Sequence, residues 1–218
     1  MMPGAEPVPA AKDRGCLFYA GAAAAVLAAG AVLSVALLLA GTRSLLRTYT
    51  GTSPVVLPAS SLPEAESEAL AARFKRFKES VGRSPSAAPL VLGDVEINAL
   101  IARDPRLKDL AGKVHISLSG DAIKARMSVP LDESGIPFVR GRYLNGEVAV
   151  KGSLDDGILI IAIDSIVLND KTFSEAVMSA LRSENLARDI YRRPKTAEAL
   201  RKFESIRVKD GLLTVTLR

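Results

Sequence analysis

The chain has 218 residues, of which 48% are hydrophobic, and it carries a net charge of +5. This length suits one ordinary domain with attached segments. Cys16 is the only cysteine, which excludes a disulfide framework and a cysteine-based metal site. The positive charge favours anionic partners such as lipid headgroups. Acidic and basic residues are interspersed rather than grouped into a stripe, so we expect no nucleic-acid partner.

The N-terminal region divides into a short tail at residues 1–16 and an apolar segment at residues 17–40, whose 24 residues include no charge. About 20 apolar residues cross a bilayer as a helix, whereas the apolar part of a signal peptide is shorter. We therefore predict a single-pass transmembrane helix in the cell membrane, with cleavage near Ala40 as the alternative. Gly21, Ala25 and Ala29 have the small-residue spacing that allows helices to pack as a homo-oligomer. The following domain is expected to be extracytoplasmic.

The region after the apolar segment changes to Thr, Ser, Pro and Gly, which predicts a linker at residues 41–62. An amphipathic helix is predicted at residues 63–82. Its apolar side chains recur at helical spacing, at Leu70, Phe74, Phe77 and Val81. Such a basic amphipathic helix can lie on a membrane surface, but packing of its apolar stripe on the domain is the favoured interpretation.

The stretch GDVEINALIARDP contains several polar residues that suggest either a catalytic site or the boundaries of a helix. Acidic residues such as Asp94 and Glu96 suit a helix N-terminus, and a proline after Asp104 ends a helix. Asn98 has no boundary role, and it is expected to bind a neighbouring strand's backbone if it is buried. We therefore predict a helix latch, a structural connection between the linker and the sheet: Gly93, Asp94, Glu96, Ile97, Asn98, Leu100 and Ile101.

An α+β domain is predicted at residues 90–218. Alternating apolar residues on both sides of Gly120-Asp121, Asp156-Gly157 and Asp210-Gly211 predict three hairpins. Residues 158–163 are apolar on both faces, which predicts a strand in the interior of the sheet. Two helices are predicted between residues 173 and 204, the first capped by Thr172 and Glu175. The fold class is accordingly α+β, with an N-terminal transmembrane helix followed by a mostly antiparallel, curved sheet packed with several helices.

Few residues in the chain suggest catalysis. His115, the only histidine, is predicted on the strand face opposite Val114, Ile116 and Leu118, where it is an exposed residue rather than a base. Asp164 interrupts an apolar strand, and a structural ion pair is the favoured interpretation. The sequence also lacks the common nucleophile, phosphate-loop and metalloprotease motifs. We therefore expect no catalytic residue, no metal and no cofactor.

Two groups of basic residues are candidates for an anionic surface. One lies in FVRGRYLNG and the other surrounds Pro194. Arginine binds phosphate and carboxylate groups bidentately. The candidate residues are Arg140, Arg142, Arg188, Arg192, Arg193 and Lys195. The alternative is a solvated face with no ligand.

The segment Glu96, Ile97, Asn98, Leu100 and Ile101 matches a pattern E-I-N-x-L-[LI]. It resembles one found in small bacterial membrane-anchored envelope proteins of uncharacterised function. Some of these resemble tubular lipid-binding domains, in which a curved sheet wraps a helix and leaves an apolar groove. The resemblance implies an apolar ligand and no catalytic residue. The sequence departs from the pattern at Gly93, where Ser or Thr is usual, and in the helices between residues 173 and 204.

These features predict a membrane-anchored, non-enzymatic envelope domain that binds a lipid-like or other apolar ligand at the membrane surface. The alternative is a scaffold or assembly subunit that contacts other envelope proteins. A third hypothesis is a hydrolase or transferase with an unrecognised site near Asp164 or Glu96.

Overall fold

The computed structural model describes residues 43–59, 62–83, 88–134, 139–188 and 194–218. Within these ranges there are five α-helices: α1 (Arg43–Tyr49), α2 (Glu64–Ser80), α3 (Asp94–Arg103), α4 (Glu175–Ser183) and α5 (Pro194–Leu200). The strands are β1 (Leu90–Leu92), β2 (Val114–Ser119), β3 (Ala122–Pro130), β4 (Tyr143–Asp155), β5 (Ile158–Leu168), β6 (Lys171–Thr172), β7 (Phe203–Lys209) and β8 (Leu212–Leu217).

The eight strands form one antiparallel sheet that branches at the long strand β4. One edge of β4 pairs with β5, from Gly146 to Asp155. The other edge is shared, because β3 pairs with it as far as Lys151 and β7 pairs with it from Ser153 onward. Strands β8 and β1 extend the sheet beyond β7, and β2 extends it beyond β3. Strand β4 is therefore the strand to which both halves of the sheet attach.

The three predicted hairpins are confirmed, and they join β2 to β3, β4 to β5 and β7 to β8. Two of them turn through Asp-Gly pairs in the left-handed region, with φ values of 52° and 82° at Asp156 and Gly157 and of 52° and 74° at Asp210 and Gly211. Such two-residue turns match the right-handed twist of the strands. They also fix the strand register, because each turn determines which residues face each other.

Asp164 is the extra residue of a β-bulge in β5. Val150 of β4 pairs with Ile163 and Ala149 pairs with Ser165, so Asp164 has no opposite residue. A bulge shifts the alternation of side chains along a strand by one position. Both Ile163 and Ile166 are therefore buried although they are three residues apart. Before the bulge the exposure of the apolar run alternates, with Ile158 and Ile160 exposed and Ile161 and Ile163 buried.

The core lies between the helices and one face of the sheet, which we call the inner face. Leu154, Val148 and Phe203 on this face have no exposed surface. Helix α2 contributes Leu70 and Phe77 to this core. The other helices contribute Ala99, Ile101, Met178 and Leu200. The apolar stripe of α2 thus packs on the domain, which confirms the favoured interpretation of this helix.

The predicted fold class is wrong. Across the described ranges, no helix has both the length and the apolar character needed to cross a bilayer. Residues 17–40, where the transmembrane helix was predicted, lie outside those ranges. The domain is a mostly antiparallel sheet with few helices.

Helix α4 is shorter than predicted. It ends at Ser183, and Asn185 just beyond it binds the edge of β5. Its N-cap is Ser174, whereas the predicted cap Thr172 belongs to β6.

Two further predictions are wrong. Residues 158–163 do not form an interior strand, because Ile158 and Ile160 are 62% and 50% exposed on the face of the sheet opposite the core. Residues 41–62 are not simply a linker. Residues 43–49 form α1, and the chain then pairs with the sheet through Gly51 and Tyr143, whose backbone N–H groups each donate to the other's carbonyl at 2.8 and 2.9 Å.

We expect Gly146→Ala to destabilise the domain. A Cβ atom at this position would lie 2.4 Å from the carbonyl oxygen of Val167 and 2.7 Å from Leu168 Cδ2. Overpacking of this kind costs about 1–3 kcal/mol in the free energy of unfolding. Gly152→Ala is the matched control on the same face of β4, because its nearest contacts would be 3.6 and 3.7 Å. Urea denaturation of both variants measures the difference, and equal stabilities would contradict the β4–β5 packing.

Candidate protein-docking face

The face of the sheet opposite the core, which we call the outer face, has a row of side chains that crosses five strands. Successive pairings connect Val91, Thr214, Arg207, Ser153 and Ile160. We call these five residues the outer row. Neighbouring strands lie about 4.8 Å apart, so the row is roughly 19 Å long. Four side chains of the row are exposed and the fifth, Thr214, is half-buried, so the row is open to solvent.

Large apolar side chains lie exposed at both ends of the outer row. Ile160 is 50% exposed, and Ile158 beside it on the same strand is 62% exposed. At the other end Val91 is 40% exposed, and Leu212 on the neighbouring strand is 45% exposed. Isolated exposed apolar residues are ordinary, but several on one face of a sheet indicate an interaction surface.

The centre of the outer face is polar and its charges are largely paired. Arg207 forms an ion pair with Asp155 at 2.9 Å. Small Ser and Thr side chains surround this pair, at Ser153, Thr214 and Thr216. Lys209 is exposed beside Leu212. The outer face therefore combines aliphatic ends with a central arginine, which is a residue type enriched at protein interfaces.

Asparagine side chains cover two edges of the sheet. Asn98 is 6% exposed, and its amide accepts from the backbone N–H of Ile116 at 2.8 Å and donates to that residue's carbonyl at 2.6 Å. Asn185 does the same for β5, accepting from Ile161 N–H at 3.0 Å and donating to the Leu159 carbonyl at 3.2 Å. Open edges pair readily with other chains, and these contacts block that route at β2 and β5. Docking on the face is therefore favoured over strand addition at these edges.

The other end of the outer face is covered by residues 46–55, which we call the strap. Asn145 and Ser128, both buried, hold the Ser53 carbonyl and the Val55 N–H at 2.8 and 3.0 Å. The ring of Tyr49 stacks on Phe173 with a centroid distance of 4.8 Å. Strap and outer row thus occupy opposite ends of β4, and the row is left uncovered.

The predicted anionic-surface residues have different surroundings. Arg142 is half-buried and donates to the carbonyls of Thr50 and Arg47 at 2.6 and 3.2 Å, so its guanidinium holds the C-terminus of α1. Arg140 is exposed in the turn before β4, and Arg188 pairs with Glu184 at 3.6 Å. The structure does not bring these three arginines together. Arg192, Arg193 and the Lys195 side chain lie outside the described residues, and the anionic surface stays a prediction.

The residues that suggested catalysis have structural surroundings. Asp164 is exposed in the bulge, and Arg182 donates to its carbonyl at 3.0 Å rather than to its carboxylate, so the described residues do not show the expected ion pair. Asp156 forms the turn residue of the β4–β5 hairpin and pairs with Arg218. His115 lies on the face opposite Val114, as predicted, but it is half-buried rather than exposed. Among the described residues, no three His, Cys, Asp or Glu side chains group to hold a metal ion.

The residues of the predicted helix latch lie at the start of α3 and along it. Helix α3 begins after Gly93, whose N–H donates to the Glu96 carboxylate at 2.9 Å, and Glu96 also pairs with Arg73 at 2.6 Å. Asp94 accepts from Val95 N–H at 2.7 Å. Ile97 and Leu100 are half-buried and Ile101 is buried, together forming the apolar side of the helix. Asn98 binds the backbone of a neighbouring strand as expected.

The sequence interpretation missed the outer row, although one signal for it was present. A two-residue turn at Asp156-Gly157 pairs Asp155 with Ile158 and Ser153 with Ile160. Because paired residues lie on the same face, two polar partners place both isoleucines on the outer face.

Searches of protein-family models, of curated proteins and of solved structures find no match to the chain.

Proposed function

We propose that the chain is a non-enzymatic scaffold or assembly subunit whose outer face docks a protein partner. The observation that carries this proposal is the outer row, with Val91 and Leu212 exposed at one end and Ile158 and Ile160 at the other. Interfaces are anchored by apolar side chains that lose their water on binding, with polar groups around them. The outer face supplies such apolar anchors at its two ends, and its polar groups lie between them.

A lipid-like ligand, the leading hypothesis from the sequence, has less support. Such a ligand requires an apolar groove, and the inner face is the apolar side of this sheet. There the described side chains pack against one another, and Leu154, Val148 and Phe203 are fully buried. Four exposed apolar side chains, at Val91, Ile158, Ile160 and Leu212, lie instead on the outer face, whose centre carries an ion pair.

The partner's surface should complement both parts of the outer face. Its aliphatic side chains would meet Ile158 and Ile160 at one end and Val91 at the other. A carboxylate placed opposite Lys209 would gain an ion pair there and would also disfavour partners that present a cation. The partner is therefore a protein whose docking surface combines aliphatic side chains with a carboxylate opposite Lys209.

We further propose that this docking takes place at the cell membrane, outside the cytoplasm. The support is the uncharged apolar segment at residues 17–40, which is separated from α1 by only Gly41 and Thr42. Because the strap is docked on the sheet, little free chain remains between that segment and the domain. The partner would then be another envelope protein.

The test replaces Ile160 with glutamate in the full chain, purified by an N-terminal tag from cells that make the protein. Desolvating an unpaired carboxylate is costly, so the amount of co-purifying partner should fall by about tenfold or more. Val177→Glu is the matched control, because Val177 is 38% exposed on α4, away from the outer face. Both variants should keep their stability within about 0.5 kcal/mol. Equal recovery of the partner by both variants would contradict the proposal.

A further inference from the structure

The strap is held in a cleft that contacts its backbone more than its side chains. The cleft is formed by Ser128, Arg142, Tyr143, Asn145 and Asn169. These residues bind strap carbonyl oxygens at five positions and backbone N–H groups at two. The carbonyls belong to Arg47, Thr48, Thr50 and Ser53, and the N–H groups to Gly51 and Val55, while the Gly51 carbonyl accepts from Tyr143. A segment held in this way is bound as a peptide ligand would be.

Three strap residues give the cleft its selectivity. Tyr49 stacks on Phe173 with an interplanar angle of 5°. Thr50 is 3% exposed, and its hydroxyl accepts from Arg142 and donates to the Leu46 carbonyl. Gly51 must lack a side chain, because a Cβ atom there would lie 2.5 Å from Asn145 Nδ2. The cleft therefore selects an aromatic-Thr-Gly sequence.

The chain beyond the strap is suited to reach a second molecule. Residues 54–59 belong to no helix or strand, and Val56 is 93% exposed between Pro54 and Pro58. This exposed connection separates the strap from α2, which belongs to the core of the domain. An identical strap from another copy could make the same contacts, which is the basis of segment exchange in homodimers.

We propose that this cleft is a peptide-binding site for aromatic-Thr-Gly segments and that two copies of the chain exchange their straps through it. The occupant in the exchanged state is residues 46–55 of the second copy. This proposal is independent of the outer row, which lies at the other end of β4.

The test traps the strap-exchanged dimer with a disulfide bond between two introduced cysteines. All chains are full-length and carry Cys16→Ser, which removes the native cysteine. One chain carries Val55→Cys and the other Ser128→Cys, because the Val55 N–H lies 3.0 Å from the Ser128 hydroxyl oxygen. Mixed under mild oxidation, the two chains should form a disulfide-linked heterodimer whose yield rises with protein concentration. A chain with both substitutions should form the disulfide within itself, which checks the geometry. Val56→Cys, at the exposed neighbouring position, replaces Val55→Cys in the control.

Gly51→Ala should have opposite effects in the two chains. Added to the Val55→Cys chain, it prevents that strap from docking, and the heterodimer should fall to the level of the Val56→Cys control. Added to the Ser128→Cys chain, it empties that cleft, and the heterodimer should increase. An intramolecular disulfide without any heterodimer would overturn the exchange. Disulfide yields that Gly51→Ala leaves unchanged in both chains would overturn the cleft itself.

Discussion

Replacement of Asn98 by alanine is expected to lower the free energy of unfolding by about 2–4 kcal/mol. The side chain is buried and binds both backbone groups of Ile116 as well as the Asp94 carbonyl at 2.7 Å. Alanine would leave the N–H and carbonyl of Ile116 without a hydrogen-bond partner. Because the site is buried, water would not fully replace the Asn98 amide. Chemical denaturation measures the loss.

Asn185→Ala is the matched control for this prediction, since Asn185 makes the same pair of contacts with the edge of β5. The Asn185 side chain is only half-buried, so water can replace part of the hydrogen bonding that the substitution removes. Its cost should therefore be smaller, about 1 kcal/mol. A loss below that of Asn185→Ala would mean that Asn98 does not secure the edge of β2.

Phe203→Ala is expected to destabilise the domain even more than Asn98→Ala, by about 3–5 kcal/mol. Phe203 has no exposed surface and pairs with Leu217 at the start of β7, where the next residue, Glu204, is the extra residue of a second bulge. Removing the ring leaves a cavity that the surrounding β-sheet cannot close without moving its paired strands. Thermal or urea unfolding measures the effect.

Leu212→Ala is the control for this prediction on the same hairpin. Leu212 is 45% exposed on the outer face, so its truncation should change the free energy of unfolding by about 0.5 kcal/mol or less. If the two truncations cost the same, the distinction between the filled inner face and the uncovered outer face would be wrong.

Local patterns in the sequence were sufficient to predict α3 and the hairpins. Gly93, Glu96 and Pro105 mark the two ends of α3 through interactions within a few residues. The Asp-Gly pairs determine the turns by their own backbone preferences. The role of Asn98 could also be anticipated, because a buried amide without a boundary role needs a hydrogen-bond partner.

Other features depend on contacts between distant parts of the chain. The strap docks because Arg142 and Asn145 lie far beyond it in the sequence, each 92 residues from its partner, Thr50 or Ser53. Its Thr- and Gly-rich composition by itself indicates only a linker. Helix α4 ends early because Asn185 binds β5, which no pattern within α4 indicates. The bulge at Asp164 similarly appears only once β5 is paired with β4.

The outer row was not predicted from the sequence for a related reason. A run such as Ile158 to Ile163 is typical of a strand buried on both faces. The register with β4 instead places Ile158 and Ile160 opposite polar residues, where both side chains are exposed to solvent. The sequence interpretation therefore assigned to the interior the side chains that we propose as the docking surface.

Site-specific photo-crosslinking tests the docking face most directly. A photoreactive residue is placed in the full chain at Val91 or at Ile160, which lie at the two ends of the outer row, or at Val177 on α4. We predict that positions 91 and 160 crosslink to the same partner protein and that position 177 does not. Crosslinks at position 177 alone, or different proteins at positions 91 and 160, would contradict docking on the outer face.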